Sequence, residues 1–282
     1  MKKLLLILLL AACTHKPEVK PQVEPIPTVS IPASSTEYKK PLPMAKYQIL
    51  DADDGHYVKQ LKKGTTLVVI EGIPEKDDTC ANGYAKLKNT IAELHQYGVI
   101  VSCYQSLSYE KWRCDADKFP ASAKGKKMDG WDELWSDWRV SSAAHKFWDN
   151  RYVELANAGC DCVEDDNEYS PDDNETGFPL TSKDVEAASS YRAGMAHKLG
   201  MCHLAKNHGS TSAIKSKYSD GVMIEEAGKY GERDSYLPWK LAGKFAAMIE
   251  YSSSACRPYP GFSVQYHSDG DYFSGINYKI CD

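Results

Sequence analysis

The residues best suited to chemistry are concentrated in the segment GCDCVEDDNEY, which spans residues 159–169. It carries five carboxylates within eight positions: Asp161, Glu164, Asp165, Asp166 and Glu168. Unpaired carboxylates are costly to bury, so a cluster that follows an apolar run indicates function. Two carboxylates on opposite sides of a glycosidic bond can hydrolyse it, one protonating the leaving oxygen while the other attacks or activates water. Calcium binding is the alternative, although the segment lacks the spacing, central glycine and twelfth-position glutamate of an EF-hand loop.

Aromatic side chains accompany these carboxylates along the chain, as expected for a site that stacks against the apolar faces of sugar rings. The candidates are Tyr109, Trp112, Trp131, Trp135, Trp138, Tyr169, Tyr230 and Tyr251. Core packing is the competing interpretation for any single tryptophan. Four tryptophans within residues 112–138, between a predicted strand and a predicted helix, favour a binding loop for some of them.

The elements that must position these residues repeat along residues 44–282. Short β-rich runs occur at Tyr47–Leu50, Thr66–Glu71, Val99–Tyr104, Cys160–Asp165, Met201–Lys206, Gly221–Glu225, Lys244–Glu250 and Phe262–Tyr266. Helical periodicity covers residues 84–97, 140–158 and 182–199, and Thr181 with Asp184 forms a predicted capping box. Four glycines end helical segments directly before a strand: Gly98, Gly159, Gly200 and Gly243.

This alternation predicts an α/β fold with a parallel sheet, and eight strands match the count of a single (β/α)8 TIM barrel. A doubly wound open sheet is the rival. In a barrel, the loops after the carboxyl ends of the strands form the active face. The predicted strands end in polar and mostly acidic residues, which predicts an acidic cleft: Glu71, Tyr104, Glu164 to Asp166, Lys206-Asn207, Glu225-Glu226, Glu250-Tyr251 and Tyr266-His267.

The N-terminus has the pattern of an export signal. Lys2 and Lys3 precede the apolar run Leu4–Ala12, which is too short to span a bilayer, and Leu10-Ala11-Ala12-Cys13 resembles a bacterial lipobox. An ordinary signal peptide with a chance cysteine is the alternative. Residues 17–43 carry seven of the 14 prolines, which indicates an extended tether. We therefore expect a signal peptide at 1–12, a lipidated Cys13 and Pro-rich linker at 13–43, and a barrel at 44–282.

Composition limits the classes of partner that the protein can bind. The 282 residues have a net charge of −5, so no basic surplus is available to neutralise nucleic-acid phosphates. Eight cysteines follow Cys13, and export would permit disulfides, whose connectivity the sequence leaves open. Cys103, Cys162 and Cys202 lie in apolar runs and could equally be small buried residues. No CxxC or HExxH motif is present, and we expect no cofactor, no metal and a monomer.

Several stretches together resemble one known family. In order, they are Val101–Arg113, Gly130–Trp135, Gly159–Asn167, Leu204–Asn207 and Met223–Glu226. The order is similar to that of glycoside hydrolase family 114, which comprises endo-α-1,4-polygalactosaminidases and related barrel proteins, and the similarity covers most of residues 65–251. The resemblance implies a (β/α)8 barrel that hydrolyses α-1,4-linked, galactosamine-containing polysaccharide.

Carried over by position, Asp166 and Glu225 match the family's proposed catalytic carboxylates, with Glu226 as the replacement for the second. The remaining predicted cleft residues are Tyr104, Tyr109, Glu110, Trp112, Arg113, Trp131, Trp135, Asp161, Glu164, Asn167, Lys206, Asn207, Glu226, Tyr230 and Tyr251. Partly deacetylated polygalactosamine is cationic, so extra carboxylates such as Glu164, Asp165 and Glu168 would serve as subsites.

The sequence also departs from the family pattern. Cys162 follows Asp161 where glycine is usual, Asp165 replaces a common proline, Ala227 replaces a cysteine, and the loop after the third strand is one residue shorter. These differences leave open a non-catalytic lipoprotein that binds polysaccharide with the same barrel. An esterase or deacetylase is a further alternative, but the sequence contains neither a Gly-x-Ser-x-Gly element nor a His-rich metal set that would support it. The expected location is a bacterial membrane, as an exported lipoprotein facing the periplasm or the cell surface.

Overall fold

A computed structural model of the protein describes residues 37–50, 57–77, 79–168, 171, 175–267 and 278–281. Its strands are β1 (Tyr47–Ile49), β2 (Leu67–Glu71), β3 (Ile100–Ser106), β4 (Lys124–Lys127), β5 (Leu134–Ser136), β6 (Cys162–Asp166), β7 (Cys202–Lys206), β8 (Gly221–Glu225), β9 (Phe245–Glu250), β10 (Ser263–His267) and β11 (Tyr278–Ile280). All eight predicted strands are confirmed, with ends that shift by up to two residues. The β4–β5 hairpin and β11 are additional.

Helices lie between most of these strands. They are α1 (Tyr57–Gln60), α2 (Cys80–His95), α3 (His145–Ala158), α4 (Ser182–Lys198), α5 (Ser212–Tyr218) and α6 (Leu237–Leu241). The predicted capping box at Thr181 and Asp184 starts α4, and Gly159 ends α3 with a φ of 97°, a left-handed conformation that suits glycine. The three predicted helical segments are confirmed, although α2 begins four residues before, and α3 five residues after, the predicted start.

The main sheet contains nine strands in the order β1-β2-β3-β6-β7-β8-β9-β10-β11, and all neighbours are parallel except β10 and β11. Eight parallel strands thus follow one another in chain order. The sheet curls so that the Gln265 side chain on β10 donates to the carbonyl of Tyr47 on β1 at 2.8 Å. The predicted (β/α)8 barrel is confirmed and the doubly wound sheet is wrong, because a doubly wound sheet reverses its strand order.

Alternate residues of the strands face two different cores. One set fills the barrel interior, including Leu67, Val69, Leu204, Met223 and Ile249. The other set packs against the helices and includes Val68, Ile70, Val101 and Val163 on one side and Val222, Ile224 and Met248 on the other. This alternation decides which strand-end side chains can reach a site above the barrel.

Four disulfides use eight of the nine cysteines: Cys80–Cys114, Cys103–Cys160, Cys162–Cys202 and Cys256–Cys281. The interpretation of Cys103, Cys162 and Cys202 as simple buried residues is therefore wrong. Cys162 and Cys202 are direct neighbours in the β6–β7 ladder, so their side chains lie on the same face.

Part of the predicted organisation lies outside the described residues. This applies to the signal peptide at 1–12, to Cys13 and most of the linker, and to Tyr169. In the ranges that the structure does describe, no helix combines the length and the apolarity needed to cross a bilayer.

Candidate active site

A cleft of about 950 Å³ lies at the carboxyl ends of the barrel strands. Its charged lining is dominated by ten carboxylates: Glu71, Glu75, Asp77, Glu110, Asp129, Glu133, Glu164, Asp166, Glu175 and Glu225. Only three cationic side chains share that lining among the described residues: Lys86, Arg113 and Lys206. The predicted acidic cleft is confirmed, and its volume is that of a typical ligand site.

Strand alternation selects the side chains that enter this cleft from β6. Glu164 and Asp166 are two residues apart, so both point into the barrel mouth, whereas Asp165 points to the helices. The parallel ladder sets Glu164 beside Tyr104 and Asp166 beside Ser106 of β3. Glu225 at the end of β8 reaches the same cleft from two strands away.

Lys206, the last residue of β7, lies between these two strands and joins their carboxylates. Its Nζ lies 3.3 Å from Glu164 Oε1, 3.3 Å from Asp166 Oδ2 and 3.6 Å from Glu225 Oε2. Burial alone would lower the pKa of Lys206, but the three carboxylates raise it well above its usual value. Lys206 therefore stays cationic, and its two contacts limit the separation of the Asp166 and Glu225 oxygens to at most about 7 Å.

Both oxygens of Asp166 are held. Its Oδ1 accepts the backbone N–H of Asn167 at 2.6 Å, and its Oδ2 accepts the Tyr104 hydroxyl at 3.0 Å in addition to the Lys206 contact. Asn167 in turn donates to Ser106 Oγ at 2.8 Å. These donors fix the direction of the carboxylate and compensate its negative charge.

Glu225 has an equivalent set of partners. Its Oε2 accepts from Asn207 Nδ2 at 3.0 Å, its Oε1 accepts the Tyr251 hydroxyl at 2.7 Å, and its backbone N–H donates back to Asn207 Oδ1 at 2.8 Å. Its side chain is 24% exposed, against 15% for Asp166. Glu225 is therefore the more accessible of the two carboxylates.

Backbone strain is concentrated beside these groups. Among the described residues, the non-glycine residues with positive φ are Asn167, Asn207, His208 and Glu226. All four follow the carboxyl ends of β6, β7 or β8 within two residues. Such conformations cost on the order of 1–3 kcal/mol each and persist where the surroundings hold them, commonly at functional sites.

Glu164 lies deeper than the other two carboxylates, with only 2% of its surface exposed. Burial raises its pKa to about 7, against the opposing effect of Lys206. Its second oxygen, Oε2, is buried and has no hydrogen-bond partner in the structure. Glu164 thus exchanges a proton near neutral pH at the base of the cleft.

A second charged cluster lines the β2–β3 side of the cleft. Arg113 donates to Glu71 Oε2 at 2.7 Å and to Glu110 Oε1 at 2.8 Å. Burial raises the pKa of Glu110 to about 7, although Arg113 opposes this. Glu133 accepts hydrogen bonds from Ser108 and Ser106, and burial raises the pKa of its carboxyl group. Three carboxyl groups on this side of the cleft therefore lie near a single arginine.

Aromatic side chains form part of the cleft wall. Tyr104, Trp112, Trp131 and Trp135 all line it, and Trp131 is 46% exposed. Trp138, by contrast, is buried in the core with Phe119 and Trp148. Exposed rings beside carboxylates are the surface expected for an amino sugar, which has both an apolar face and a positive charge.

Comparisons with known proteins identify the family. The model of glycoside-hydrolase family GH114 matches residues 31–273. The chain belongs to family GH114. The chain is similar to a crystal structure of Aspergillus fumigatus Ega3 in complex with galactosamine. The two sequences are 26% identical, the match covers 88% of this chain and 100% of the Ega3 chain, and the TM-score is 0.71. The barrel and the family together show that the protein is a glycoside hydrolase.

More distant structures support the fold of this GH114 protein. The glycoside hydrolase domain of PelA from Pseudomonas aeruginosa is 13% identical, with 78% of this chain and 93% of that chain covered and a TM-score of 0.54. A single-residue variant of the same PelA domain is 14% identical and has a TM-score of 0.53, with 73% of this chain and 84% of that chain covered. The comparison with curated protein sequences found no significant match.

The GH114 structure brings together twelve of the seventeen residues predicted for the cleft. They are Tyr104, Glu110, Trp112, Arg113, Trp131, Trp135, Glu164, Asp166, Asn167, Lys206, Asn207 and Glu225. Tyr251 does not line the cleft but supports Glu225 through its hydroxyl. The roles of these residues in binding or catalysis remain predictions.

Four predicted residues lie elsewhere. Asp161 precedes β6 at the amino end of the barrel, where it contacts Lys39 and His95, so its placement in the cleft is wrong. Tyr230 is 63% exposed beyond the cleft lining. Glu226 pairs with Lys229 at 2.7 Å, and Tyr109 packs against Phe119.

Two further carboxylates considered as subsites also face away from the cleft. Asp165 accepts hydrogen bonds from Gln105 and Tyr152, and Glu168 pairs with Arg192 and Lys215. The segment 161–168 thus points in several directions. No three His, Cys, Asp or Glu side chains in the described ranges are grouped to hold a metal ion.

Sequence reasoning missed several cleft carboxylates. The sequence marks Glu71 only as a strand end and Glu133 only as part of a motif, and it gives no signal for Glu75, Asp77, Asp129 and Glu175. Glu133 lies beside Leu134 of the β4–β5 hairpin, which the periodicity did not predict. Recognising that hairpin would have placed Glu133 near Ser108, because Tyr109 and Leu134 are bridged.

Proposed function

We propose that the protein hydrolyses α-1,4-linked, galactosamine-containing polysaccharide, with Asp166 and Glu225 as the catalytic carboxylates. One observation carries the proposal. Asp166 and Glu225 project from different strands into one acidic cleft and contact the same buried ammonium group of Lys206. Two carboxylates within one sugar ring of each other are the arrangement that glycoside hydrolysis requires.

The surroundings favour different roles for the two groups. Asp166 is the shorter and less exposed side chain and is fixed by a main-chain N–H, which suits a nucleophile that must attack along one direction. Glu225 is more exposed, which suits the group that protonates the leaving oxygen and later activates water. In this scheme Asp166 attacks C1 as the glycosidic C–O bond breaks, Glu225 gives its proton to the departing oxygen, and water then releases the sugar with Glu225 as the base.

The scheme above gives net retention, and the separation of the two groups is compatible with it. Their Lys206-bound oxygens are at most about 7 Å apart. Retaining enzymes place the carboxyl groups about 5–5.5 Å apart and inverting enzymes about 6.5–9.5 Å apart. Under the proposed scheme the first product should be the α-anomer, which proton NMR recorded within the first minutes of reaction would detect.

The charge of the cleft supports an amino sugar as the substrate. Ten carboxylates against three cationic side chains create a negative potential that attracts and aligns the ammonium groups of a partly deacetylated chain. The similar Ega3 structure contains galactosamine. A neutral, fully acetylated chain would lack this attraction, so it should be the poorer substrate.

The test compares Asp166→Asn and Glu225→Gln with the wild-type protein on partly deacetylated galactosamine polymer. Oligomer release, followed by mass spectrometry, should fall by about a thousandfold or more in each variant, while binding to the polymer persists. Asp117→Asn, at an exposed site in a 3-10 turn, is the matched control and should keep full activity. Near-normal turnover in both variants would exclude the pair.

The same assay separates hydrolysis from binding alone. If the wild-type protein binds the polymer and releases no oligomers, the protein is a polysaccharide-binding lipoprotein and not an active hydrolase. If it cleaves a different polysaccharide and both variants are inactive, the catalytic pair stands and the substrate assignment fails.

We also propose that the protein is exported and anchored to a bacterial membrane through a lipid on Cys13. The lipobox-like sequence supports this, and so do the four disulfides, which are typical of an oxidising compartment. Cells labelled with palmitate should incorporate the label into the wild-type chain but not into Cys13→Ser. Equal labelling of both chains would contradict lipidation at this residue.

A further inference from the structure

Arg192 lies on α4, behind the sheet and away from the cleft, with 5% of its surface exposed. Its Nη1 donates to Glu168 Oε1 at 3.0 Å, its Nε lies 3.8 Å from Asp165 Oδ2, and its Nη2 donates to the carbonyl of Trp138. One guanidinium group therefore contacts the two carboxylates on either side of Asp166-Asn167.

Both carboxylates have further partners that fix them in place. Asp165 accepts from Gln105 Nε2 at 2.7 Å, from the Tyr152 hydroxyl at 2.6 Å and from His203 Nε2 at 3.2 Å. Glu168 Oε2 lies 2.9 Å from Lys215 Nζ. Burial alone would raise the pKa of both carboxyl groups, but His203 and Arg192 at Asp165, and Lys215 and Arg192 at Glu168, lower them overall.

Of the two residues held between these anchors, Asn167 has a left-handed backbone conformation. Asn167 has a φ of 59°, and its N–H donates to Asp166 Oδ1 at 2.6 Å. The left-handed region is unfavourable for most L-residues, and asparagine enters it more readily than the others, so held neighbours are enough to keep Asn167 there. The orientation of the Asp166 carboxylate thus depends on the backbone of a residue that has fixed neighbours on both sides.

We propose that Arg192 is a positioning residue that holds Asp165 and Glu168 and thereby keeps Asn167 strained and Asp166 aimed at the substrate. This inference rests on the proposed catalytic role of Asp166. Arg192 does not touch the cleft, so it acts on the reaction only through the loop that carries the nucleophile.

Charge balance explains why the arginine is needed. Two buried carboxylates, Asp165 and Glu168, face the basic side chains of Arg192 and Lys215. Removing one cation leaves a buried anion that is only partly compensated, which is costly in a buried position. The loop can relieve this cost by moving Glu168 towards solvent, which would release Asn167 from positive φ and turn Asp166 away from its attack direction.

The experiment compares Arg192→Met, which removes the charge at similar length, with Arg192→Lys, which keeps it. We expect Arg192→Met to lower kcat by about 10- to 100-fold with KM within about threefold, since orientation affects the bond-breaking step more than binding. Arg192→Lys should recover a large part of the lost kcat. Activity is measured well below the melting temperature of each variant, on protein with unchanged circular dichroism.

Arg139→Met is the matched control, because Arg139 makes a two-bonded ion pair with Asp137 that does not contact the loop of Asp166. It should lose some stability and no kcat. If folded Arg192→Met has a kcat within twofold of wild type, or a higher KM with the same kcat, the proposed positioning role is wrong.

Glu168→Gln provides an independent variant if Arg192→Met does not fold. Glu168→Gln should lower kcat in the same way, and its effect should be less than additive with that of Arg192→Lys, because both act on one contact. An unchanged kcat in Glu168→Gln would also overturn the inference. Asp166→Asn separates the two proposals: if it is active, the catalytic assignment fails, whereas an inactive Asp166→Asn beside a fully active Arg192→Met rejects only the positioning role.

Discussion

The two ends of strand β6 use carboxylates in opposite ways. At the amino end, Asp161 Oδ2 accepts the N–H of Val101 at 2.9 Å and lies 2.7 Å from His95 Nε2, while its Oδ1 pairs with Lys39 at 3.0 Å. At the carboxyl end, Glu164 and Asp166 share one lysine with Glu225.

A second carboxylate at the amino end of the barrel, before β8, has a similar arrangement of partners. Asp220, which precedes β8, accepts the N–H of His203 at 3.0 Å, lies 2.8 Å from His197 Nε2 and accepts the hydroxyl of Tyr38 at 3.1 Å. Each amino-end carboxylate therefore has its own basic partner, whereas three carboxylates at the other end divide one cation. We infer that the ratio of basic partners to carboxylates, more than the number of carboxylates, distinguishes the structural end of the barrel from the reactive end.

The largest effect should come from removing the shared cation. Lys206→Met removes the counter-charge of Asp166 and Glu225, which then repel each other, and it raises the pKa of Glu164 further, so geometry and protonation change together. We expect kcat to fall by about 100- to 1000-fold, which is about 3–4 kcal/mol of activation free energy. Lys88→Met, on the exposed side of α2, is the control. A kcat within threefold of wild type would show that the shared cation is dispensable.

The next effect concerns the buried proton of Glu164. Because burial raises its pKa to about 7, the folded protein binds a proton more tightly than the unfolded chain does. The favourable contribution of this protonated state is complete below the ordinary glutamate pKa and disappears as the pH rises through about 7.

Glu164→Gln stays neutral, so it should gain stability relative to wild type between about pH 5 and pH 8, by on the order of 2–3 kcal/mol. Thermal melts of both proteins across this range measure the gain. Glu154→Gln, an exposed position on α3, should show no such trend. A stability difference that does not change with pH would contradict the raised pKa of Glu164.

A smaller effect is expected at the amino end. Asp161→Asn weakens the contacts with Lys39 and His95 and should lower the free energy of unfolding by about 1–2 kcal/mol. Since Asp161 is far from the cleft, kcat should remain within twofold of wild type. Urea denaturation and steady-state kinetics on the same preparation test both statements. A large loss of kcat in the folded variant would remove the distinction between the two ends.

The smallest effect is that of salt on substrate capture. Added NaCl screens the attraction between the acidic cleft and a cationic polymer, so KM should rise by about three- to fivefold between about 50 and 500 mM, with kcat nearly constant. The fully acetylated polymer provides the control and should show little dependence on salt. Equal salt dependence for both polymers would argue against an electrostatic role for the cleft.

Much of the barrel could be predicted from the sequence, because strand runs, helix periodicity and terminal glycines are local signals. The convergence of Asp166 and Glu225 followed from the rule that parallel strands end at one edge. The ladder then placed both side chains in the cleft with Lys206 between them.

The errors at β6 have a simple cause. The predicted strand began at Cys160, whereas the ladder begins at Cys162, which leaves Asp161 before the strand at the amino end. Side-chain alternation applied from Glu164 onwards would have turned Asp165 towards the helices. The disulfide pairs and the sharing of Lys206 depend on contacts across the sheet, and no local pattern encodes them.

The most direct test of the catalytic pair is rescue by azide with an activated aryl α-galactosaminide oligomer. In Glu225→Ala, azide should intercept the glycosyl-enzyme and give a glycosyl azide with the α configuration of the substrate. In Asp166→Ala, azide should replace the nucleophile in a single displacement and give the β configuration. The same configuration from both variants, or the reverse assignment, would contradict the roles proposed for Asp166 and Glu225.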